Sequence, residues 1–344
     1  MPELHPNSAR DLLGAMDHPR DSYLHFRHVM ACLDHSPQSR QVLAEAASIA
    51  EVMGAELTVL RVMEAGTQPM RRPVDPVDWD LGRREEEAEL SRLVGEIGTL
   101  PDIHTEVMSG ATADCICRKA HESGVDLTVL GVGGRGPWAE WGLGSTVRQV
   151  AEHAAGSVLI VPETPANDVT RQKSRERVLV PLDSSTWAEA VLPIALRVAQ
   201  SRGAELVLLH AVPDISLTGN SPPDAHDEAL RADLCHRNER VAQAYLDRIR
   251  GLLPADSLRT RVRLLSGEDP RRALARAVNE EAASLVVLSA RGQGAHPDLP
   301  IGSTAEYLIS AATVPVLLVR RPEAGTRRAT RAAPWRSRMV RAAV

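Results

Sequence analysis

The sequence is short of cysteine, of long apolar runs and of any excess of basic charge, and each shortage removes a class of protein. Four cysteines in 344 residues, Cys32, Cys115, Cys117 and Cys235, are too few and too irregularly placed for a disulfide framework or a pair of CxxC zinc clamps. They are expected to be reduced and mostly buried. No apolar run approaches the ~18 residues of a membrane-spanning helix, and the opening MPELHPNSARDLLGAMDHPRD lacks the charged-then-apolar order of a secretory signal. The expectation is a cytoplasmic protein with no membrane partner. Lys and Arg number 40 against 45 Asp and Glu, a formal net charge of -5, whereas a dedicated nucleic-acid binder is usually basic. GxxxxGK[ST] and GxSxG are both absent, which argues against a fast P-loop hydrolase and against nucleophile-elbow chemistry. What is present is ordinary globular composition, 43% apolar and 25% charged, in a chain long enough for two domains.

The chain repeats itself. HVMACLDHSPQSRQVLAEAASIAEVMGAELTVLRV aligns with RVLVPLDSSTWAEAVLPIALRVAQSRGAELVLLHAV, and Asp34 and Asp183 each lie 20 residues before the glycine of a GAEL tetrapeptide. Further down, Gly134 to Gly144 and Gly292 to Gly302 are both 10 residues, and Gly144 to Val161 and Gly302 to Val319 are both 17. Chance does not hold several spacings at once, and an internal repeat governs the whole fold assignment. The expected organisation is an N-terminal extension (1–26), a first domain (27–162), a polar linker (163–176), a second domain (177–321) and a basic tail (322–344).

Within each copy, short β-branched and leucine-rich runs alternate with segments of helical period. In copy two the runs are RVLVPL, ELVLLHAV, RVRLL, SLVVLSA and VPVLLV, while AEAVLPIALRVAQSRG and DPRRALARAVNEEA carry apolar residues three and four apart. Glycines after helical stretches fit left-handed caps. Strictly alternating β and α elements predict an α/β fold of two tandem doubly wound domains, each a five-stranded parallel sheet with helices on both faces. Segments 63–100 and 213–256 exceed one crossover and read as an excursion followed by a charged surface helix.

In an open parallel sheet the ligand site lies beyond the carboxyl ends of the strands, where strand order reverses. Three features of each copy converge there. The acid ending strand one, Asp34 or Asp183, suits a sugar or base edge, or else caps the next helix. The Gly-rich loop after strand four lets main-chain amides approach a phosphate, or is a plain turn. The Gly-Ser-Thr triplets 144–146 and 302–304 open helices whose unpaired amides favour an anion, although Ser and Thr are also common caps.

Taken together, G-x2-G-x9-G-S after the fourth strand, an Asp at the first and PVLLV at the fifth resemble the universal stress protein family over both copies. The resemblance implies an adenine-nucleotide alpha-hydrolase-like fold that holds ATP or another adenine nucleotide, with Mg2+ as a companion ion. By position the ligand residues implied in copy one are Asp34, Val62, Gly131, Gly134, Arg135, Gly144, Ser145 and Thr146. In copy two they are Asp183, Ala211, Ser289, Gly292, Gln293, Gly302, Ser303 and Thr304. Gly110 and Gly267 match a further turn glycine after strand three. Copy two departs at Ser289, where the motif has Gly, and at the HPDLP stretch around His296, Pro297 and Pro300, so copy one is expected to bind first.

Gly131, Gly133 and Gly136 also spell GxGxxG, but the helix signal begins only near Ser145, and copy two replaces two of these glycines, so a dinucleotide fingerprint is set aside. His25, His28 and His35 straddle a loop and a strand and read as solvated side chains rather than metal ligands; no metal site or catalytic set is assigned. Eight arginines meet one acid in RRPEAGTRRATRAAPWRSRMVRAAV, either a solvated tail or an arm for phosphates and acidic partners. The reading is a cytoplasmic stress-response regulator that works by nucleotide-linked conformational change. The two domains form an intramolecular pseudo-dimer in this reading, with a homodimer as a further association. The alternative is a nucleotide-independent scaffold on the same fold, and slow ATP hydrolysis lacks any residue to serve as base.

Overall fold

The computed structural model describes residues 25–64, 76–97, 103–132, 144–163, 176–215, 224–294 and 299–320. The extension up to residue 24, the linker over 164–175 and the basic tail from 321 lie outside them. Copy one runs β1 (His28–Leu33), α1 (Ser39–Met53), β2 (Glu56–Met63), α2 (Pro76–Gly95), β3 (Ile103–Ser109), α3 (Thr112–Glu122), β4 (Leu127–Gly131), α4 (Ser145–His153) and β5 (Ser157–Val161). Copy two runs β6 (Arg177–Pro181), α5 (Thr186–Glu189), α6 (Leu192–Ser201), β7 (Glu205–Ala211), α7 (Ala225–Leu252), β8 (Thr260–Leu265), α8 (Pro270–Glu280), β9 (Leu285–Ser289), α9 (Ser303–Ala311) and β10 (Val316–Val319). The architecture is α/β, as the alternation of runs predicts.

All ten strands join in one sheet, ordered β3-β2-β1-β4-β5-β10-β9-β6-β7-β8. Each copy is parallel throughout, and the two meet where β10 pairs antiparallel with β5, Leu317 opposite Leu159. The central strands SVLIV and VLLV are buried at every position, because helices cover both faces. The outer strands β3 and β8 are only partly buried and carry charge, which discourages further pairing. On β8, Arg263 lies 2.8 Å from Glu281, and Arg261 also bonds that carboxylate.

Each face of the sheet has one core, and each core draws on both copies. Under α1 and α6 it includes Val29, Leu43, Ile194, Leu206 and Leu317; under α3, α4, α8 and α9 it includes Met30, Ile116, Val150, Leu274 and Leu308. Across the first face, Arg202 reaches Glu45 at 2.8 Å. On the second, Arg320, just past β10, donates to the carbonyls of Ala151 and Ala154 at the end of α4. A cation there satisfies orphan carbonyls and faces the negative end of the helix dipole.

Two details refine the sequence reading. Gly54 and Gly203 adopt φ of 60° and 59°, the left-handed caps expected of GAEL. The helix expected through AEAVLPIALRVAQSRG is two helices instead, α5 and α6. Pro193, in the first turn of α6, has no N–H to bond the carbonyl of Glu189, so the ladder breaks there. Among the described residues no helix is long and apolar enough to cross a membrane.

Because β5 and β10 cover each other, residues 25–163 and 176–320 expressed separately should each expose an apolar edge strand. Each half should fold and self-associate, and a mixture should form a one-to-one complex by light scattering. Strictly monomeric halves that ignore each other would show that the strand pairing does not hold the copies together.

Candidate functional site

Strands β1 and β4 lie side by side, yet the chain leaves them towards opposite faces, α1 to one core and α4 to the other. That divergence leaves room beyond their carboxyl ends, and β6 and β9 repeat it in copy two. Asp34 follows β1, Val62 lies near the end of β2, Gly110 follows β3, Gly131 ends β4, and Gly144, Ser145 and Thr146 open α4. The corresponding places in copy two are taken by Asp183, Ala211, Gly267, Ser289, Gly292, Gln293, Gly302, Ser303 and Thr304. Gly134 and Arg135 lie outside the described residues, as do Gly133, Gly136, His296 and Pro297.

Neither strand-one acid caps a helix. Asp34 Oδ1 accepts from the Ser36 N–H at 2.9 Å and from Ser39 Oγ at 2.9 Å, closing its own turn, while Gln38 is the residue before α1. Asp183 Oδ1 likewise accepts from the Ser185 N–H at 3.0 Å, and Ser185 caps α5. Two-residue turns of this kind are a common use of Asp. They hold the backbone of each acid while leaving one carboxylate oxygen uncommitted to the turn.

In copy two that second oxygen is engaged. Asp183 Oδ2 accepts from the Gln293 N–H at 2.6 Å, so the acid already grips the glycine loop. A Cβ on Gly292 would stand 2.3 Å from the same oxygen, and therefore glycine is what lets loop and acid touch. Ser289 Oγ accepts from the Arg291 N–H at 3.3 Å. In copy one, a Cβ on Gly131 would meet Gln38 Oε1 at 2.8 Å. Gln38 is buried and donates through Nε2 to the Val161 carbonyl at 2.6 Å, but its Oε1 has no partner among the described residues.

The glycines fall into two physical kinds. Gly110 and Gly267 have φ of 143° and 84°, which side-chain-bearing residues rarely adopt, and the Gly110 N–H bonds the Met63 carbonyl at 3.1 Å. Gly144 and Gly302, at φ of -57° and -76°, are in conformations any residue adopts. A Cβ would meet nothing within 4 Å at Gly144, and only the Ala290 carbonyl at 3.7 Å at Gly302. Each helix start is capped by a glycine, which brings no side chain. Among the described residues the first amides of α4 and α9 therefore take no acceptor from their cap residues, at the positive ends of the helix dipoles.

Two groups escaped the sequence reading. Arg61, only 2% exposed, donates to the Asp34 carbonyl at 3.2 Å and to Glu86 and Glu89 at 2.8 Å each. A lone arginine inside ELTVLRVM was the available signal. Its repeat equivalent is His210, packed edge-on against Tyr245 at 5.9 Å with Nδ1 without a hydrogen-bond partner among the described residues. Burial lowers the His210 pKa against the pull of Asp183. Burial likewise raises that of Tyr245, with the Glu189 and Asp183 carboxylates adding to the shift. Of the three histidines expected to be solvated, His28 is instead held by Thr58 at 2.8 Å and the Ser123 carbonyl at 3.2 Å. Of the cysteines, Cys115 is buried and Cys32, Cys117 and Cys235 are partly so. A cleft of about 390 Å³ bordered by Gln200, Glu205, Ser257 and Arg259 lies at the opposite, amino ends of the strands, away from these groups.

A family model described as the universal stress protein family matches residues 25–162 and 174–320. Universal stress protein Rv2623 of Mycobacterium tuberculosis is 25% identical over 300 residues, spanning 85% of this chain and 96% of that protein. Among solved structures, a universal stress protein from Archaeoglobus fulgidus is similar with a TM-score of 0.58 at 20% identity, covering 87% of this chain and 99% of that one. A universal stress protein solved in complex with cAMP matches 41% of this chain and 99% of its own, at 23% identity and a TM-score of 0.32.

The lowered pKa of His210 makes stability depend on pH. The folded state resists a proton that the unfolded chain accepts near pH 6.5, so unfolding free energy should be level above about pH 7 and fall as pH drops below about 6.5. Urea titrations at pH 7.5 and 5.5 should show the loss in the wild type and a smaller one in His210→Phe. An undiminished loss in the variant would place the acid sensitivity elsewhere.

Proposed function

This chain belongs to the universal stress protein family, and we propose that it binds ATP or a related adenine nucleotide beyond the carboxyl ends of its parallel strands and acts as a cytoplasmic stress-response regulator. The observation that carries this reading is the pair of helix-start glycines. Gly144 and Gly302 are the N-caps of α4 and α9, need no positive φ, and among the described residues a Cβ on either would clash with nothing, so both helix starts are open to a ligand. A phosphate could approach the first amides of α4 and α9 closely there, at the positive ends of the helix dipoles. Asp34 or Asp183 would take the nucleoside end, with Val62 or Ala211 beside it and Mg2+ accompanying the phosphates.

Copy one is the stronger site in this proposal. In copy two the Gln293 amide already serves Asp183, and a nucleotide would have to displace that carboxylate. In copy one the Asp34 carboxylate is exposed and bonded only within its own turn among the described residues. The antiparallel β5 and β10 support a reading of the chain as an intramolecular pseudo-dimer. Regulation would follow from linkage: a ligand at a hundredfold excess over its Kd adds about 2.7 kcal/mol to the state that binds it.

Calorimetric titration with ATP, ADP, AMP and cAMP should give a stoichiometry near one nucleotide per chain. Gly144→Val should lose that binding with its circular dichroism spectrum unchanged, and Gly302→Val should leave the binding in place. Gly110→Ala, by contrast, should lower the urea midpoint of unfolding, since its φ of 143° penalises any Cβ by roughly 1 kcal/mol. Wild-type affinity in Gly144→Val would remove the nucleotide site and leave the scaffold reading.

A further inference from the structure

Beside the end of β1, three groups from distant parts of the chain converge. His35 lies in the turn after β1, and Glu86 and Glu89 lie one helical turn apart on α2. His35 Nε2 stands 3.2 Å from Glu86 Oε1, and Nδ1 stands 3.7 Å from Glu89 Oε2. One ligand atom from each residue can be chosen so that all lie within 4.8 Å of one another. We propose that His35, Glu86 and Glu89 bind a divalent transition-metal cation of the class that accepts mixed nitrogen and oxygen ligands, Zn2+ foremost.

The geometry suits such an ion. Two donor atoms 3.2 Å apart, each at a metal distance of about 2.1 Å, subtend an angle of about 100° at the ion, within the range of tetrahedral and octahedral sites. Imidazole nitrogen with two carboxylate oxygens selects against Ca2+ and Mg2+, which prefer oxygen alone. Three protein ligands also leave at least one coordination position open.

Arg61 ties the two carboxylates together. Its buried guanidinium donates to Glu86 Oε2 and Glu89 Oε2 at 2.8 Å each; on Glu86 this leaves Oε1, the oxygen beside His35 Nε2, while on Glu89 the oxygen nearest His35 is the one Arg61 also holds. Outer contacts of this kind orient metal ligands. Two carboxylates face a single guanidinium, and the excess negative charge is what a cation would neutralise. Glu86 is 18% exposed, which keeps that charge partly out of water. Copy two holds no counterpart, since Ser184 replaces His35 and His210 replaces Arg61 in the repeat register. Bound metal would tie the turn after β1 to α2, and its binding needs no nucleotide, so it stands or falls apart from the function proposed above.

The test uses the full chain, stripped by a chelator and titrated with Zn2+ by calorimetry in the absence of nucleotide. One Zn2+ per chain should bind at this site, with Co2+ giving a d–d absorption band typical of nitrogen and oxygen ligands. His35→Ala should weaken that binding at least tenfold, as should Glu86→Gln combined with Glu89→Gln. Glu85→Gln, an exposed neighbour on α2, should not. The His35 side chain is 65% exposed, so its loss should leave the circular dichroism spectrum unchanged. Absence of Zn2+ uptake, wild-type affinity in His35→Ala, or an equal loss in Glu85→Gln would each overturn the proposal.

Discussion

The antiparallel pairing of β5 with β10 is the constraint on which the rest of the structure depends. A doubly wound domain of five parallel strands has its fifth strand at an edge, and here that strand is buried at every position and almost wholly apolar. Pairing the two fifth strands removes both edges at once and places the charged strands β3 and β8 at the outside. It also merges two cores into one on each face, so that α1 meets α6 and Arg320 of copy two closes the end of α4 in copy one. The helix whose first residues form the candidate phosphate site of copy one is therefore completed at its other end by copy two.

At the carboxyl ends of the strands the repeat keeps its backbone and varies its chemistry. Both copies have an acid closing a two-residue turn and a helix beginning at a glycine that the backbone does not require. Beneath the acid, the same register position of the second strand is Arg61 in one copy and His210 in the other. Arg61 gathers Glu86 and Glu89 from α2, while His210 packs on Tyr245 from α7, near the buried Glu189. A buried guanidinium must have carboxylates or carbonyls around it, whereas a neutral imidazole tolerates an aromatic neighbour. Each choice on the strand thus dictates a different face for the helix covering it.

Much of this was legible in the residues. Conserved spacing between Asp34 and Gly54 and between Asp183 and Gly203 announced the duplication, and β-branched runs flanked by glycine placed every strand of copy two. Because strand order in such a fold follows from right-handed crossovers, the carboxyl-end location of Asp34, Gly131 and Gly144 followed as well. Pro193 splitting a helix is equally local, because a proline has no N–H for the carbonyl four residues back.

What the sequence by itself determined is whatever arises from neighbours along the chain: period, turns, caps and the repeat. Tertiary structure alone decided which distant groups meet. Gln38 reaching the Val161 carbonyl spans 123 residues, and Asp183 holding the Gln293 amide spans 110. His35, read from its neighbours, is an ordinary solvated histidine; only the packing of α2 over β2 sets Glu86 and Glu89 beside it. Local propensity carries no information about such pairs, because the energy of a buried polar contact depends on the partner that folding brings and not on the residues adjacent in sequence.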